Sequence, residues 1–189
     1  MTLSELNELL RGLAAEYFSE DSVSWAEQYM PQFPLPQTTL KMKDVAIPRH
    51  PVNVVKDGIN CSFYECTKIL EVNRYADSVA GSGGRIVSLE NPAVDDLTRF
   101  LLFLQSEVGI DRMYAANVCI EAIGPVSDLS ELDRTHYRYR AMQEYTVRFI
   151  LKYENGRAEV YNPHEGEGWE PVAEPVGYFE NVETEEDYE

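Results

Sequence analysis

Residues 136–154 read HYRYRAMQEYTVRFILKYE. Tyrosine and arginine alternate through the first half. The pattern suits a surface that stacks bases and grips phosphates, and it equally suits the central strand of a sheet. Side chains of a strand point alternately to its two faces, so the two parity sets are read separately. One set is Tyr137, Tyr139, Ala141, Gln143, Tyr145, Val147, Phe149, Leu151 and Tyr153. It is nearly all apolar or aromatic, the composition of a sheet face covered by helices. The other is Arg138, Arg140, Met142, Glu144, Thr146, Arg148, Ile150 and Lys152, polar and mostly basic. At about 3.3 Å per residue, roughly 17 residues span about 56 Å. That exceeds an ordinary strand, so a bulge or a projecting hairpin is expected. Asn155-Gly156 follows as a type I′ hairpin signal, with Ala158–Asn162 as a short return strand.

Working outward, Leu3, Leu6, Leu10, Leu13 and Tyr17 recur at helical spacing, and Thr2 or Ser4 can cap that helix. Prolines 31, 34 and 36 exclude helix and favour extended chain. Thr38, Leu40, Met42 and Val45 mark one face of a first strand. Residues 49–60 read as a turn-rich link, with Asp57-Gly58 a plausible hairpin turn. Residues 61–76, CSFYECTKILEVNRYA, form the second clear strand. Asn91 caps a further helix with Pro92 at its first position. Val94, Leu97, Leu101, Leu104 and Val108 form its apolar side, and Gly109 ends it. Residues 113–124 are a third strand, and 125–133 a turn or short helical bend. The expected class is α+β: a mixed or antiparallel sheet of four to five strands, with helices packed mainly on one face. Residues 1–160 form that domain and 161–189 an acidic extended tail.

The formal charge is −17, and it is uneven. From Glu154 onward there are 12 acidic residues against the single basic Arg157, which places −11 there and −6 in the body. Nucleic-acid affinity comes mainly from Lys and Arg neutralising phosphates, so so acidic a chain disfavours tight non-specific binding. The hydrophobic fraction of 44% is ample for a core. Neither an export signal nor a membrane-spanning stretch is read in the sequence, so use without export is expected.

Sites for chemistry are sparse. Cys61, Cys66 and Cys119 lack a second Cys/His pair to complete a zinc site and read as reduced apolar residues. His50, His136 and His164 show no metal-ligand spacing. Gly81-Ser82-Gly83-Gly84 is not followed by Gly-Lys-Ser/Thr, so it reads as a loop and not a phosphate cradle. Asp95-Asp96 sit in a helical first turn, where negative charge is favoured. No G-x-S-x-G elbow is present. The expectation is no catalytic, metal or cofactor site. Within the acidic tail, Trp169, Tyr178 and Phe179 are candidates for docking on a partner.

Four stretches together resemble the tail terminator (neck terminator) proteins of long-tailed bacteriophages. They are VSWAEQYMPQFPLPQTTLKM (23–42), FYECTKILEVNRYADS (63–78), PAVDDLTRFLLFLQSEVGI (92–110) and VCIEAIGPVSDLSELDRTHYRYRAMQEYTVRFILKY (118–153). The last carries a GPVSDLS link and Arg140-Ala141 leading the long strand. The loop around 80–90 and the tail after Pro163 depart from the family's compact form. The resemblance implies a structural virion protein, assembled in the host cytoplasm as a hexameric ring. Such a ring caps the tail tube, meets tube or sheath and neck connector proteins, and passes DNA in transit, without cofactor, catalysis or membrane. On that view Arg138, Arg140 and Arg148 meet acidic groups of a neighbouring subunit. The alternatives are another connector, adaptor or tail-tube component, or a nucleic-acid-binding module.

Overall fold

Two very long strands organise the molecule. In a computed structural model, which describes residues 1–19, 22–26, 35–43, 46–47, 50–56, 59–76, 91–133 and 136–163 (backbone alone at Lys56 and 131–138), the element order is α1 (Leu3–Phe18), β1 (Val23–Trp25), β2 (Gln37–Met42), β3 (Val52–Lys56), β4 (Ile59–Ala76), α2 (Pro92–Leu104), α3 (Glu107–Ala115), β5 (Val118–Asp128), β6 (Glu131–Asp133), β7 (His136–Glu154) and β8 (Arg157–Val160). β4 and β7 pair antiparallel from Ser62↔Tyr153 to Ala76↔Tyr139. β2 and β3 lie end to end along the outer side of β4. β6, β5 and β8 lie end to end along the outer side of β7. β1 joins β2 in parallel, which makes the sheet mixed. The class is α+β as expected, but the sheet is larger than four or five strands. Among the described residues eight strands pair into it, including the three-residue β6 on the start of β7.

The parity of β7 sets the core. From Tyr139 to Leu151 every odd residue is buried and every even residue is half-buried or exposed. The buried set joins Leu6, Leu10 and Phe18 of α1 with Leu97, Phe100 and Leu104 of α2 in one hydrophobic cluster. Burial of aliphatic and aromatic side chains contributes on the order of 1.5–3 kcal/mol each, so this single interface dominates the fold's stability. Gln143 is the polar member of the buried set, and its burial has a reason. β5 shifts register between Ile123 and Ser127, where Gly124 has φ +67°. The Gln143 amide nitrogen donates to the carbonyls of Ile123 and Gly124 at 3.0 and 3.3 Å, satisfying acceptors beside the bulge.

Local signals explain the element ends. Thr2 and Glu5 form a reciprocal capping box on α1. Asn91 accepts from the Ala93 N–H at 2.9 Å and donates to Asp128 and Ser130, tying the start of α2 to the end of β5. Asn155 and Gly156 both have positive φ, 50° and 81°, as the β7–β8 turn requires.

Three expectations are corrected. The 49–60 link contains β3, whose pairing with β4 runs to Lys56↔Ile59 on either side of Asp57-Gly58. The second helix does not run to Gly109: it stops at Leu104, and Ser106 caps a new helix. Gly109 lies inside α3, where an added Cβ would sit 2.4 Å from the Phe103 carbonyl oxygen, so glycine is needed for close approach and not as a stop. Residues 125–133 are not a bend, because β5 continues through Pro125 to Asp128 and β6 follows. Pro125 is accommodated because it falls at a bulge on an edge strand. The Gly81–Gly84 loop and Val45 lie outside the described residues, as does the tail after Pro163.

Candidate functional site

The even residues of β7 and the odd residues of β4 form the sheet face away from the core. It was expected to be cationic. Instead, Lys43, Arg148 and Lys152 are matched by carboxylates of β4, β5 and β7 itself. Lys43, just after β2, contacts Glu71 of β4 at 3.2 Å and also Glu144 of β7. Both carboxylates hold the Lys43 ammonium above its ordinary pKa. Arg148 pairs with Glu121 of β5 at 2.9 Å, with about half of each side chain exposed. Lys152 contacts Glu154. Glu71 is pushed up by burial, but hydrogen bonds from Asn73 and Lys43 outweigh this and leave its carboxyl below the usual range. This face is a charge mosaic closed within one chain.

The three arginines expected at a subunit interface therefore differ. Arg148 is exposed and carries a rim-type ion pair, which is worth little by itself and can be exchanged for another partner. Arg140 is half-buried: it donates to the Asn73 side chain at 3.0 Å and stacks 5.4 Å from the Tyr75 ring centre. That engagement makes it a sheet-organising residue as well as a candidate contact. Arg138 lies on β7 opposite Glu131, and its side chain is outside the described residues. Trp169, Tyr178 and Phe179 also lie outside them. The aromatics Tyr139, Tyr145 and Phe149 are in the core. Burial pushes the Tyr145 hydroxyl well above its usual pKa, so these rings are not presented to bases.

Two apolar surfaces were missed in the sequence. The first is the β3–β4 hairpin, where Val52, Val54, Val55 and Ile59 are all exposed, Val55 by 69%. The second is the elbow between α2 and α3, where Leu102, Val108, Ile110 and Tyr114 are exposed. Val108 reads as core when one continuous helix is assumed, but it falls in the separate helix α3 and is exposed, while Leu102 lies on the side of α2 away from Leu97, Phe100 and Leu104. The hairpin lies along the β4 side of the central pair and α3 packs on β5 at the other side, and Val52 of the one and Tyr114 of the other line a shared cleft between them. The signal available was Val52-x-Val54-Val55 immediately before Asp57-Gly58, a strand-turn pattern with apolar residues on both faces.

A cleft of about 490 Å³ opens on the same sheet face, lined by Val52, Phe63, Tyr114, Asn117, Arg148 and Ile150 among others. Among the described residues no group of three or more His, Cys, Asp and Glu side chains is placed to hold a metal. No described helix is long and apolar enough to cross a membrane. All three cysteines are free, with Cys61 and Cys66 buried and Cys119 exposed. No protein-family model matches the sequence, and no curated protein matches it.

Proposed function

We propose that this chain is a structural ring subunit that terminates the tail tube of a long-tailed bacteriophage and joins it to the head–neck connector. The observation that carries this is the pair of apolar surfaces, one on a strand hairpin and one on a helix elbow, on the two sides of one sheet. A closed ring uses heterologous contacts, in which one patch of each subunit meets a different patch of the next. The Val54/Val55/Ile59 hairpin and the Leu102/Val108/Ile110 elbow supply such a pair. Contiguous exposed apolar groups of this kind mark contact surfaces. The four sequence stretches that resemble tail terminators point to six subunits and to a virion location, reached after assembly in the host cytoplasm. Arg148 lies at the rim and trades Glu121 for an acidic group of the neighbour; Arg138 and Arg140 extend that row. The acidic balance of −17 gives a channel wall that passing DNA does not adhere to. The role requires no cofactor and no catalysis.

A second reading, another connector, adaptor or tail-tube component, draws on the same two surfaces and differs in whether the contact closes. A nucleic-acid-binding module is disfavoured by the burial of Tyr139, Tyr145 and Phe149 and by the engagement of Arg140 with Asn73 and Tyr75. Light scattering of the purified chain tests the proposal. A mass that is a fixed multiple of the 21.6 kDa subunit is expected. Val55→Asp with Ile59→Asp should reduce it to the single chain with an unchanged circular-dichroism spectrum. A wild type that stays monomeric at all concentrations overturns the proposal.

A further inference from the structure

The cleft on the open sheet face lies where the described chain ends. Tyr161 leaves β8 with its N–H bonded to the Ile150 carbonyl and its ring 5.0 Å from that of Phe63. Asn117 donates to the Tyr161 carbonyl, and Asn162 donates to the Ala115 carbonyl, both at 2.8 Å. Phe63, Asn117 and Ile150 all line the cleft. The chain is therefore fixed along the cleft wall up to Asn162, and residues 164–189 continue from that point. Those residues contain ten carboxylates, no Lys or Arg, and the aromatics Trp169, Tyr178 and Phe179.

We propose that the C-terminal segment folds back on its own domain and seats Trp169 in this cleft. Trp169 lies six residues beyond Pro163, and six residues of extended chain reach roughly 20 Å, so the indole can enter without straining its tether. The cleft offers apolar walls in Val52 and Tyr114, exposed by 66% and 54% while the site is unfilled. Arg148, paired with Glu121 at 2.9 Å, keeps about half of its side chain exposed for a further carboxylate, and Glu167 and Glu170 flank Trp169 in the sequence. A tether this short gives the segment a high effective concentration at the cleft, so modest contacts suffice. One chain suffices for this seating; Val52, Tyr114 and Arg148 also belong to the surfaces offered to a neighbouring subunit, and dilution separates the two occupants.

The test uses the full chain carrying Trp25→Phe, which leaves Trp169 as its one tryptophan. Expected is an emission maximum shifted to the blue of the same chain in denaturant, with acrylamide quenching several-fold weaker. Adding Val52→Ser and Tyr114→Ser, both at exposed positions, should abolish the protection, and dilution should not change it. If Trp25→Phe does not fold, the difference between wild type and Trp169→Phe reports the same quantity. Trp169 quenched as fully in the folded as in the unfolded chain overturns the proposal. So does protection that survives the double serine variant, or protection lost on dilution, which would assign the cleft to another copy.

Discussion

Removing the Asp96 carboxylate strands a guanidinium inside the domain. The Arg74 side chain is 7% exposed, and its Nε donates to Asp96 Oδ2 at 2.8 Å. Its Nη1 donates to the fully buried Thr38 hydroxyl at 2.9 Å, and the guanidinium lies 4.7 Å from the Phe18 ring centre. The residue thus joins β4, β2, α1 and α2. Two unit charges about 4 Å apart attract by about 4 kcal/mol at an effective dielectric constant of 20. The Asp96 side chain is 34% exposed, so water already screens part of this attraction, and about 2 kcal/mol is the realistic loss for Asp96→Ala. In a domain of this size that lowers Tm by roughly 4–8 °C. Arg74→Met should cost less, because the half-exposed Asp96 left behind rehydrates whereas a lone buried arginine does not. Asp96→Ala combined with Arg74→Met should be no less stable than Arg74→Met alone, a signature of coupling and not additivity. Urea unfolding followed by circular dichroism measures all three variants. An Asp96→Ala midpoint within error of wild type, or simple additivity in the double variant, refutes the reasoning.

Gly109→Ala should destabilise by about 1–3 kcal/mol, since the new Cβ meets backbone oxygens of Phe103 and Leu104 that no side-chain rotation can move; thermal unfolding against wild type checks it. Glu71 has a folded pKa below its ordinary 4.5, so its contribution is complete above about pH 4.5 and disappears as pH falls through the depressed folded value. Glu71→Gln should therefore lose less stability than wild type between about pH 5 and pH 3, as urea midpoints across that range will show. Thiol labelling of the native chain at neutral pH should modify Cys119 before Cys61 and Cys66, which stay protected until unfolding. Cys119 is exposed, whereas burial both shields Cys66 and raises its pKa.

The core of this fold was legible because its strongest signal is periodic. β7 alternates over its described length, α1 repeats at three and four, and Asn91-Pro92 and Asn155-Gly156 mark ends by backbone chemistry alone. What escaped lacks periodicity or carries misleading punctuation. β3 is apolar on both faces and lies between Pro51 and Asp57-Gly58, so it resembles a link. The unbroken apolar run from Leu101 to Leu104 hides the helix end, and a glycine required for close packing in α3 imitates a stop. Gly124-Pro125 looks like a strand terminator, yet Gln143, on the neighbouring strand, supplies hydrogen bonds that let β5 pass through it. At the candidate site, parity placed Arg140 and Arg148 on the correct face. Their partners Asn73 and Glu121 are distant in sequence, so the engagement of these arginines depends on register that no local pattern encodes.

Negative-stain electron microscopy of the purified chain shows whether its subunits close into a ring. Closed rings of uniform diameter with a central channel, neither growing into tubes nor dissociating on moderate dilution, are the predicted result. Fields of single small particles, or open filaments that lengthen with concentration, would contradict the account of a ring that ends a tail.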